Sequence, residues 1–339
     1  MNKDINVEAL RSNCFRQSKI PGEFMFQMRV PGGITDAKHL GLVQEIATKY
    51  GNGTFHFGTR QTFNVPGIKY ENIEAVNALV KGYIEEIEVK RCNVDMETDN
   101  LGYPTLGARN IGACIGGEHC IKANISTAEL SQKLEKIIYP SHYHIKINIT
   151  GCPNDCIKAH MSDFGIYGVT LPQYDYSRCV ECGGCERTCR AHSVGAITEE
   201  NGKMIINRDL CIGCGECTDV CPTRAMKRYD KKLYRITIGG RTGRKNPRIG
   251  KVFVDYVTEE TLLSIFENWI PFSKYVLHGQ PVYMHGGHLM DMVGYEKVKE
   301  MLFKDVQFNE EAKIAKRINW SEVEYKTNIN VVKASEVIK

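Results

Sequence analysis

The chain has 339 residues, 42% of them hydrophobic, so it can bury a core of ordinary size and we expect a globular protein of two or three domains. A formal net charge of +4 is too small to identify a partner. No apolar run is long enough to span a bilayer, and the start MNKDINVEAL is too polar for a secretory signal, so we expect a cytoplasmic protein without a membrane span. Fourteen cysteines are many for a reducing compartment, where thiols rarely pair, and this favours metal or cluster ligation over disulfides.

The first predicted elements are a helix and a strand. Thr35 or Asp36 is expected to cap the helix, and Gly51 to end it. A strand is predicted at residues 53–58. The helix is predicted because apolar residues recur on one of its faces: Leu40, Val43, Ile46, Ala47 and Tyr50.

Two pairs of cysteines come next, each in a stretch rich in glycine or proline. ACIGGEHC separates the first pair by five residues, and GCPNDC separates the second pair by three. Four such thiolates fit a 4Fe-4S cluster or a tetrahedral zinc ion, and the cysteine runs described below favour the cluster. The four residues are Cys114, Cys120, Cys152 and Cys156. Two further cysteines stand alone and are predicted to be small buried side chains, Cys14 and Cys92.

A second helix and an alternating strand lie around these pairs. Ser126 and Glu129 form a capping box before the helix. The segment HYHIKINIT alternates, so one face should be core: Tyr143, Ile145, Ile147 and Ile149. The opposite face is polar: His142, His144, Lys146 and Asn148. It is either a solvated sheet face or part of a site, and we favour a site because the strand leads directly into Gly151 and Cys152.

Two runs of four cysteines follow, with identical gaps and an offset of 32 residues. CVECGGCERTC and CIGCGECTDVC resemble the two-cluster bacterial ferredoxin module, in which each run gives its fourth thiolate to the other cluster. Zinc would explain paired hooks but not a doubled run. The resemblance implies that the first cluster is held by Cys179, Cys182, Cys185 and Cys221. It implies that the second is held by Cys211, Cys214, Cys217 and Cys189.

Residues 222–251 hold eleven Lys or Arg and one acid, Asp230, and should meet something anionic. The alternatives are a solvated basic loop and a nucleic-acid patch, and the second is disfavoured because no recognisable nucleic-acid module accompanies the charge. Amphipathic helices are predicted at residues 258–270 and 294–303.

Several motifs together resemble the sirohaem-containing sulfite and nitrite reductases. FQMRVPGG and GTFHFGTRQTFNVPGI are similar to the ferredoxin-like half-domain of that family, and Cys-x5-Cys followed by TGCPNDC is similar to its cluster signature. The resemblance runs from about residue 20 to about residue 255. It implies that the two cysteine pairs hold a third 4Fe-4S cluster and that Cys156 also bridges this cluster to the iron of sirohaem. Assimilatory members carry two tandem copies of this unit, whereas the present chain carries one.

The implied fold class is α+β, a ferredoxin-like half-domain plus a sirohaem/4Fe-4S domain with an inserted two-cluster ferredoxin module. The expected boundaries are 1–75 for the half-domain, 76–171 and 231–325 for the sirohaem/4Fe-4S domain, 172–230 for the insertion and 326–339 for a polar tail.

The resemblance also implies roles for basic residues. Arg60 of Thr-Arg-Gln-Thr-Phe and Lys146 are expected to bind sulfite, and His144 is expected to donate protons with a pKa near the working pH. Further candidates for the anion or the cofactor are Arg29, Arg91, Arg109, Lys122 and Lys158, each of which could instead be a surface charge. Sirohaem carries eight carboxylates, and the residues expected to meet them are Arg241, Arg244, Lys245 and Arg248.

The implied activity is the six-electron reduction of sulfite to sulfide. No dinucleotide-binding G-x-G-x-x-G fingerprint is present, so electrons are expected to arrive through the ferredoxin module from partner proteins. The family implies a flavin subunit that oxidises NADH and an iron-sulfur subunit. Two alternatives are a sirohaem nitrite reductase, which forms ammonia, and an electron-transfer polyferredoxin without catalytic activity.

Overall fold

The computed structural model describes residues 5–319 except residues 100, 106, 244–246 and 281. Two β-sheets, a cysteine-rich insertion and several helices make up the described chain. The strands, in chain order, are β1 Phe15–Gln17, β2 Glu23–Met28, β3 His56–Phe57, β4 Phe63–Lys69, β5 Gly112–Ala113, β6 Ile147–Thr150, β7 Phe164–Val169, β8 Gln173–Tyr174, β9 Ile197–Glu200, β10 Lys203–Ile206, β11 Met226–Lys227, β12 Leu233–Ile238, β13 Lys251–Val257 and β14 Lys313–Ile314. The helices are α1 Val7–Ser12, α2 His39–Lys49, α3 Ile73–Ile84, α4 Thr127–Ile138, α5 Gly184–His192, α6 Glu216–Asp219, α7 Glu259–Glu267, α8 Trp269–Val276 and α9 Gly286–Leu302.

The N-terminal sheet has the antiparallel order β1-β2-β4-β3; α2 packs against β4, and α3 packs against α2. The helix predicted to be capped by Thr35 or Asp36 is α2, and it begins later, at His39. The residue before it, Lys38, makes no side-chain cap. The hydroxyl oxygen of Thr35 instead lies 2.7 Å from Nδ1 of His39. The strand predicted at residues 53–58 is confirmed only over His56–Phe57.

The larger sheet has the order β14-β13-β12-β7-β6-β5, with parallel pairing from β5 to β7 and antiparallel pairing beyond. The alternation predicted around β6 is confirmed on its core face, where Ile145, Ile147 and Ile149 are at most 1% exposed. The opposite face is not uniformly solvated, because His144 is fully buried. The capping box is confirmed in part, since the Ser126 hydroxyl accepts a hydrogen bond from the Glu129 backbone amide at the start of α4.

Residues 170–232 form an excursion between two neighbouring strands of the larger sheet. β7 and β12 pair antiparallel, with Val169 opposite Leu233, so the chain leaves and returns at adjacent positions. β8 pairs with β11 at the base of the excursion. A small separate core forms inside it, with Ile197, Met204 and Met226 among its buried residues.

One continuous hydrophobic core connects the two sheets and includes both lone cysteines, which confirms that Cys14 and Cys92 are buried. The C-terminal helices differ from prediction in their bounds. The helix predicted at 258–270 is divided into α7 and α8, and the one predicted at 294–303 is the second half of α9, whose helical geometry breaks at Gly294.

Candidate active site

The two cysteine pairs converge on one cavity. The N-terminal pair follows β5 and the C-terminal pair follows β6, and parallel pairing of these strands brings both turns to the same edge of the sheet. The cavity has a volume of about 290 Å³, far more than a zinc ion needs with ligands at ~2.3 Å. Its lining includes all four predicted ligands, Cys114, Cys120, Cys152 and Cys156. These residues therefore fit a cluster, while their ligand roles stay predictions.

The surroundings of these sulfur atoms suit thiolate ligands. The Gly151 amide donates to Cys114 Sγ at 3.1 Å, and the Asn154 side chain donates to Cys156 Sγ at 3.3 Å. Burial, opposed by a backbone hydrogen bond and reinforced by the neighbouring thiols, raises the pKa of Cys152. A positively charged cluster would offset that unfavourable effect on the thiolate.

The insertion brings together one predicted set of four cysteines and three members of the other set. Cys189, Cys211, Cys214 and Cys217 line one enclosed space. In the other set, burial raises the pKa of Cys185, and the next contributions come from hydrogen bonding and from Cys221 and Cys179 nearby. Backbone amides donate to sulfur at 3.2 to 3.4 Å in three places, to Cys179, Cys189 and Cys221.

Three of the predicted anion-binding residues form one cation cluster. Burial lowers the pKa of Arg60 and then Arg109 and Arg16 lower it further. Burial also lowers the pKa of Lys146; Asp163 opposes this, and Arg60 and Arg109 add to it. Cations that destabilise one another in this way indicate a place for an anion.

Unpartnered donors support the same conclusion. Arg109 is 5% exposed, and its Nε and Nη1 atoms have no hydrogen-bond partner among the described residues. Nε and Nη2 of Arg16 also have no hydrogen-bond partner among the described residues. The remaining nitrogen of Arg109 donates to the Tyr283 hydroxyl, and the Tyr283 ring lies under Arg11 and Arg109. Buried donors without acceptors are costly, so an anionic ligand would stabilise this arrangement.

The loop that carries Arg60 is fixed by two amide side chains. Gln61 exchanges two hydrogen bonds of 2.8 Å with the backbone of Ala113, as a neighbouring strand residue would. Asn110 donates to the carbonyl oxygens of Val30 and Arg60 at 2.9 and 2.7 Å. Gly33 leaves room for Gln61, because an added Cβ would lie 2.3 Å from the Gln61 side-chain oxygen.

The histidine predicted as a proton donor has a different environment from the one expected. His144 is fully buried and its pKa is lowered, mainly by burial and against the opposing effect of Asp163, whose carboxylate is 3.5 Å from Nδ1. A second histidine, His285, packs edge-on against it with ring centroids 4.3 Å apart. Sequence reasoning missed Arg16, Tyr283 and His285, because they come from segments outside the recognised motifs.

We expect acid to destabilise the protein through His285. Burial, then His144 and Lys146, lower its pKa from 6.5 to about 4, so the unfolded chain binds the proton more tightly. Stability should therefore fall as pH drops from 6.5 towards 4. His285→Gln should make urea unfolding less sensitive to pH in that window, and an unchanged dependence would contradict the assignment. His278→Gln, in an exposed turn, is the matched control.

Arg29, which the sequence analysis assigns to the cofactor, lies in the interior of the protein. Its guanidinium is 1% exposed, lies 3.2 Å from Glu88, donates to the Ala108 carbonyl at 2.6 Å and is paired with Glu135. Burial raises the pKa of both carboxyl groups, and Arg29 opposes that increase. The partners of the Arg29 guanidinium in the structure are therefore protein groups of the interior.

Arg29→Met should lower the free energy of unfolding by about 3–5 kcal/mol, because it leaves two carboxyl groups buried without their counter-ion. Arg91→Met is the control, since Arg91 pairs with exposed Asp36 at 2.6 Å and should contribute no more than ~1 kcal/mol. Urea titration of both variants checks this; equal losses would mean that the buried network contributes nothing special.

Other predicted basic residues are also engaged elsewhere. Arg241 and Arg248 are buried and pair with Asp291 at 2.5 and 2.6 Å, and their contact with cofactor carboxylates stays a prediction. Arg91 and Lys122 form surface ion pairs, and Lys158 is exposed. Arg244 and Lys245 lie outside the described residues.

The fold is that of a known class. The sequence profile of the nitrite and sulphite reductase 4Fe-4S domain matches residues 106–310, and that of the nitrite/sulfite reductase ferredoxin-like half domain matches residues 16–83. The chain belongs to the nitrite and sulfite reductase family. The predicted α+β class, with its half-domain and 4Fe-4S domain, is confirmed.

The chain is also similar to individual proteins of this family. The chain is 45% identical over 325 residues to one of the subunits of the anaerobic sulfite reductase of Salmonella typhimurium, with 96% of each chain covered. It is 28% identical to coenzyme F420-dependent sulfite reductase of Methanocaldococcus jannaschii, covering 84% of this chain and 44% of that protein. The crystal structure of dissimilatory sulfite reductase I has a similar fold, with a TM-score of 0.58, 18% identity, and 93% of this chain and 77% of that chain covered.

No helix among the described residues is both long and apolar enough to cross a bilayer.

Proposed function

We propose that this chain is the catalytic subunit of a sirohaem-dependent sulfite reductase, which reduces sulfite to sulfide with six electrons. The observation that carries the proposal is a cavity lined by four cysteines together with unpartnered guanidinium nitrogens on Arg16 and Arg109. The backbone amide of Arg109 donates to the carbonyl of Ile145, just before β6. The similarity to a protein of an anaerobic sulfite reductase supports the same substrate.

The chain's residues fit sirohaem between these two features. Lys146 precedes β6 and Asn148 lies on the same side of the chain, two residues on. The Asn148 side chain donates to the carbonyl of Ile157 at 3.4 Å, so this face reaches the loop that carries Cys156. Cys156 is exposed and could ligate an iron from the cavity rim. Bound there, sirohaem would be held by Cys156 and would supply a redox-active iron for the reduction of sulfite.

The cation cluster would bind and orient the oxyanion. Arg60 and Arg109 supply planar donor pairs suited to two oxygen atoms, and Lys146 supplies a compact charge. Their mutual repulsion is relieved when a dianion binds, so part of the binding energy is already present in the fold. The same cations would stabilise the charge that develops as oxygen leaves.

Protons would come from neutral groups beside the cations. His144 and His285 are neutral at pH 7 because burial and neighbouring cations lower their pKa values. An anion placed next to them would favour their charged forms and raise those values. Substrate binding would therefore bring protons to the site where oxygen atoms must leave as water.

Electrons would reach the chain from partner proteins. The insertion carries two sets of four cysteines suited to 4Fe-4S clusters, which makes three clusters with the catalytic one. The proposed partners are a flavin subunit that oxidises NADH and an iron-sulfur subunit of the same complex, and the proposed location is the cytoplasm. The proposed domain boundaries are those given above, with residues 172–230 as the relay module.

An absorption spectrum and a turnover assay test this function on the purified holoprotein. An isobacteriochlorin band in the red, with iron for three clusters, is expected, and clusters without that band would identify an electron-transfer polyferredoxin. Sulfite should be turned over with higher kcat/KM than nitrite. The reverse order would make the chain a nitrite reductase of the same family.

Lys146→Ala should raise the sulfite Kd and lower kcat, each by about ten- to a hundredfold, because a charge-assisted hydrogen bond contributes roughly 1.5–3 kcal/mol. Arg60→Ala should behave similarly. Sulfite binding followed by the haem spectrum gives Kd, and dye-driven turnover gives kcat.

Lys49→Ala is the control, since its ammonium pairs with Glu45 on the exposed side of α2. Sirohaem content should stay unchanged in all three variants. Wild-type kinetics for Lys146→Ala would place that side chain on an ordinary solvated strand face.

A further inference from the structure

The insertion contacts the rest of the protein mainly through one of its two cysteine loops, residues 211–217. Asn124, which follows the Cys120 turn, is the centre of this contact. Its side-chain amide lies 3.5 and 3.4 Å from the carbonyl oxygens of Gly213 and Cys214, and 3.1 Å from that of Gly168. Its backbone amide donates to the Gly151 carbonyl at 2.7 Å. One residue therefore connects the 211–217 loop to the turn that carries Cys152.

Other contacts hold the same loop. Arg228 donates to the Asn124 side-chain oxygen at 3.0 Å and pairs with Asp219 at 3.0 Å. Lys122 pairs with Glu216 at 2.6 Å across the same boundary. The Tyr256 hydroxyl donates to the Cys211 carbonyl at 3.0 Å.

Close backbone packing adds to these contacts. Gly213 has φ +71°, and a Cβ there would lie 2.9 Å from the Thr170 carbonyl oxygen. The Thr170 amide donates to the Gly213 carbonyl at 2.9 Å. The 211–217 loop is therefore seated directly on the sheet that carries the catalytic cavity.

The other loop, residues 179–185, faces away. Within the part of the chain that the structure describes, its hydrogen bonds stay inside the insertion, as with Arg187 to the Cys182 carbonyl at 2.8 Å. Cys182 is exposed and Val180 is 61% exposed. Cys217 and Cys189, in contrast, are buried.

We propose that the 211–217 loop is the face of the insertion that passes electrons to the catalytic cavity, and that the 179–185 loop is the face on which an electron-donor protein docks. This inference rests on the proposed function and assigns a direction to the electron transfer through the insertion. Each transfer moves one electron: the donor is oxidised by one electron, the catalytic side is reduced by one, and no bond forms or breaks in the insertion.

The geometry favours this direction because electron transfer weakens steeply with distance. Asn124 holds the 211–217 loop and the Cys152 turn in hydrogen-bond contact with a single side chain between them. A donor protein has less access to that loop, in which Gly213, Gly215 and Cys217 are buried. It can approach Cys182 and Val180, which lie on the open side. Asn124 is accordingly a positioning residue.

A pair of single-cysteine variants tests the direction by magnetic resonance on the reduced holoprotein. Cys214→Ala should abolish the spin interaction between the insertion and the catalytic cluster, whereas Cys182→Ala should preserve it. The opposite pattern would overturn the inference. Iron analysis separates the two levels of the argument, because a wild-type protein without clusters would refute the proposed function itself.

Asn124→Asp tests the positioning role with little change of shape. An aspartate cannot donate to the carbonyl oxygens of Gly213 and Cys214 and repels them, so the spin interaction should weaken while the melting temperature stays within a few degrees. Asn207→Asp is the matched control, since the Asn207 side-chain oxygen accepts hydrogen bonds from the Asp209 and Leu210 amides within the insertion and an aspartate keeps that acceptor. An unchanged spin interaction in Asn124→Asp would show that Asn124 does not position the 211–217 loop.

Val180→Glu tests the docking face, with reduced bacterial two-cluster ferredoxin as the protein probe and reduced methyl viologen as the small one. The rate of reduction by the ferredoxin should fall by about tenfold, because a charge is placed in the contact, while reduction by the dye is unchanged. Ile20→Glu, at a site 57% exposed on the half-domain, should change neither rate. Equal ferredoxin rates in both variants would move the docking face elsewhere.

Discussion

Cys156→Ser is expected to abolish sulfite turnover and to change the haem spectrum. A serine hydroxyl is a hard, protonated group at neutral pH and replaces a thiolate poorly as a ligand to iron. Because one sulfur is proposed to serve both the cluster and sirohaem, the magnetic coupling between them should be lost. The clusters of the insertion should remain, since their cysteines lie in a separate part of the chain.

Cys92→Ser is the matched control for this experiment. Cys92 is 3% exposed in the hydrophobic core, so the change should cost some stability but leave the spectrum and the activity intact. Electron paramagnetic resonance of both variants gives the result. Retention of the coupling in Cys156→Ser would show that another residue ligates the haem iron.

Cys182→Ala is expected to abolish turnover driven by partner subunits while most dye-driven turnover survives. The change would remove a proposed ligand of the cluster at the 179–185 loop, and with it the path from a docked protein. A small dye can still reach the haem edge, and sirohaem content should be unchanged because its proposed pocket is built from residues on either side of the insertion.

The comparison needs both donors on one preparation. Ile205→Ala, in β10 of the insertion and 46% exposed, is the control and should retain both activities. Equal loss with both donors at full sirohaem content would mean that the insertion belongs to the catalytic core.

Local patterns in the sequence predicted the local features well. The cap at Ser126 and the buried face of Ile145, Ile147 and Ile149 depend on neighbours within a few residues, and both are present. The cysteine sets were predictable because the spacing within each run matches that of a known cluster-binding module. The structure brings each set together, apart from exposed Cys182 at the edge of its loop.

Charged residues were harder to place, because their roles depend on distant partners. Arg29 precedes the Pro-Gly-Gly motif, but Glu88 and Glu135 lie 59 and 106 residues away in sequence and hold it in the interior. Arg109 and Tyr283 are 174 residues apart, yet they are in contact. No periodicity or motif links such pairs, so their identification required the fold.

The pairing of β7 with β12 has a consequence for how this protein could change over time. Since the excursion begins and ends at adjacent positions of one sheet, its length can vary without altering the register of any neighbouring strand. The entropic cost of closing such a loop rises only slowly with its length, by about 0.6 kcal/mol for each doubling. A longer insertion, a shorter one or a simple turn could therefore connect β7 to β12 while the sheet keeps its structure.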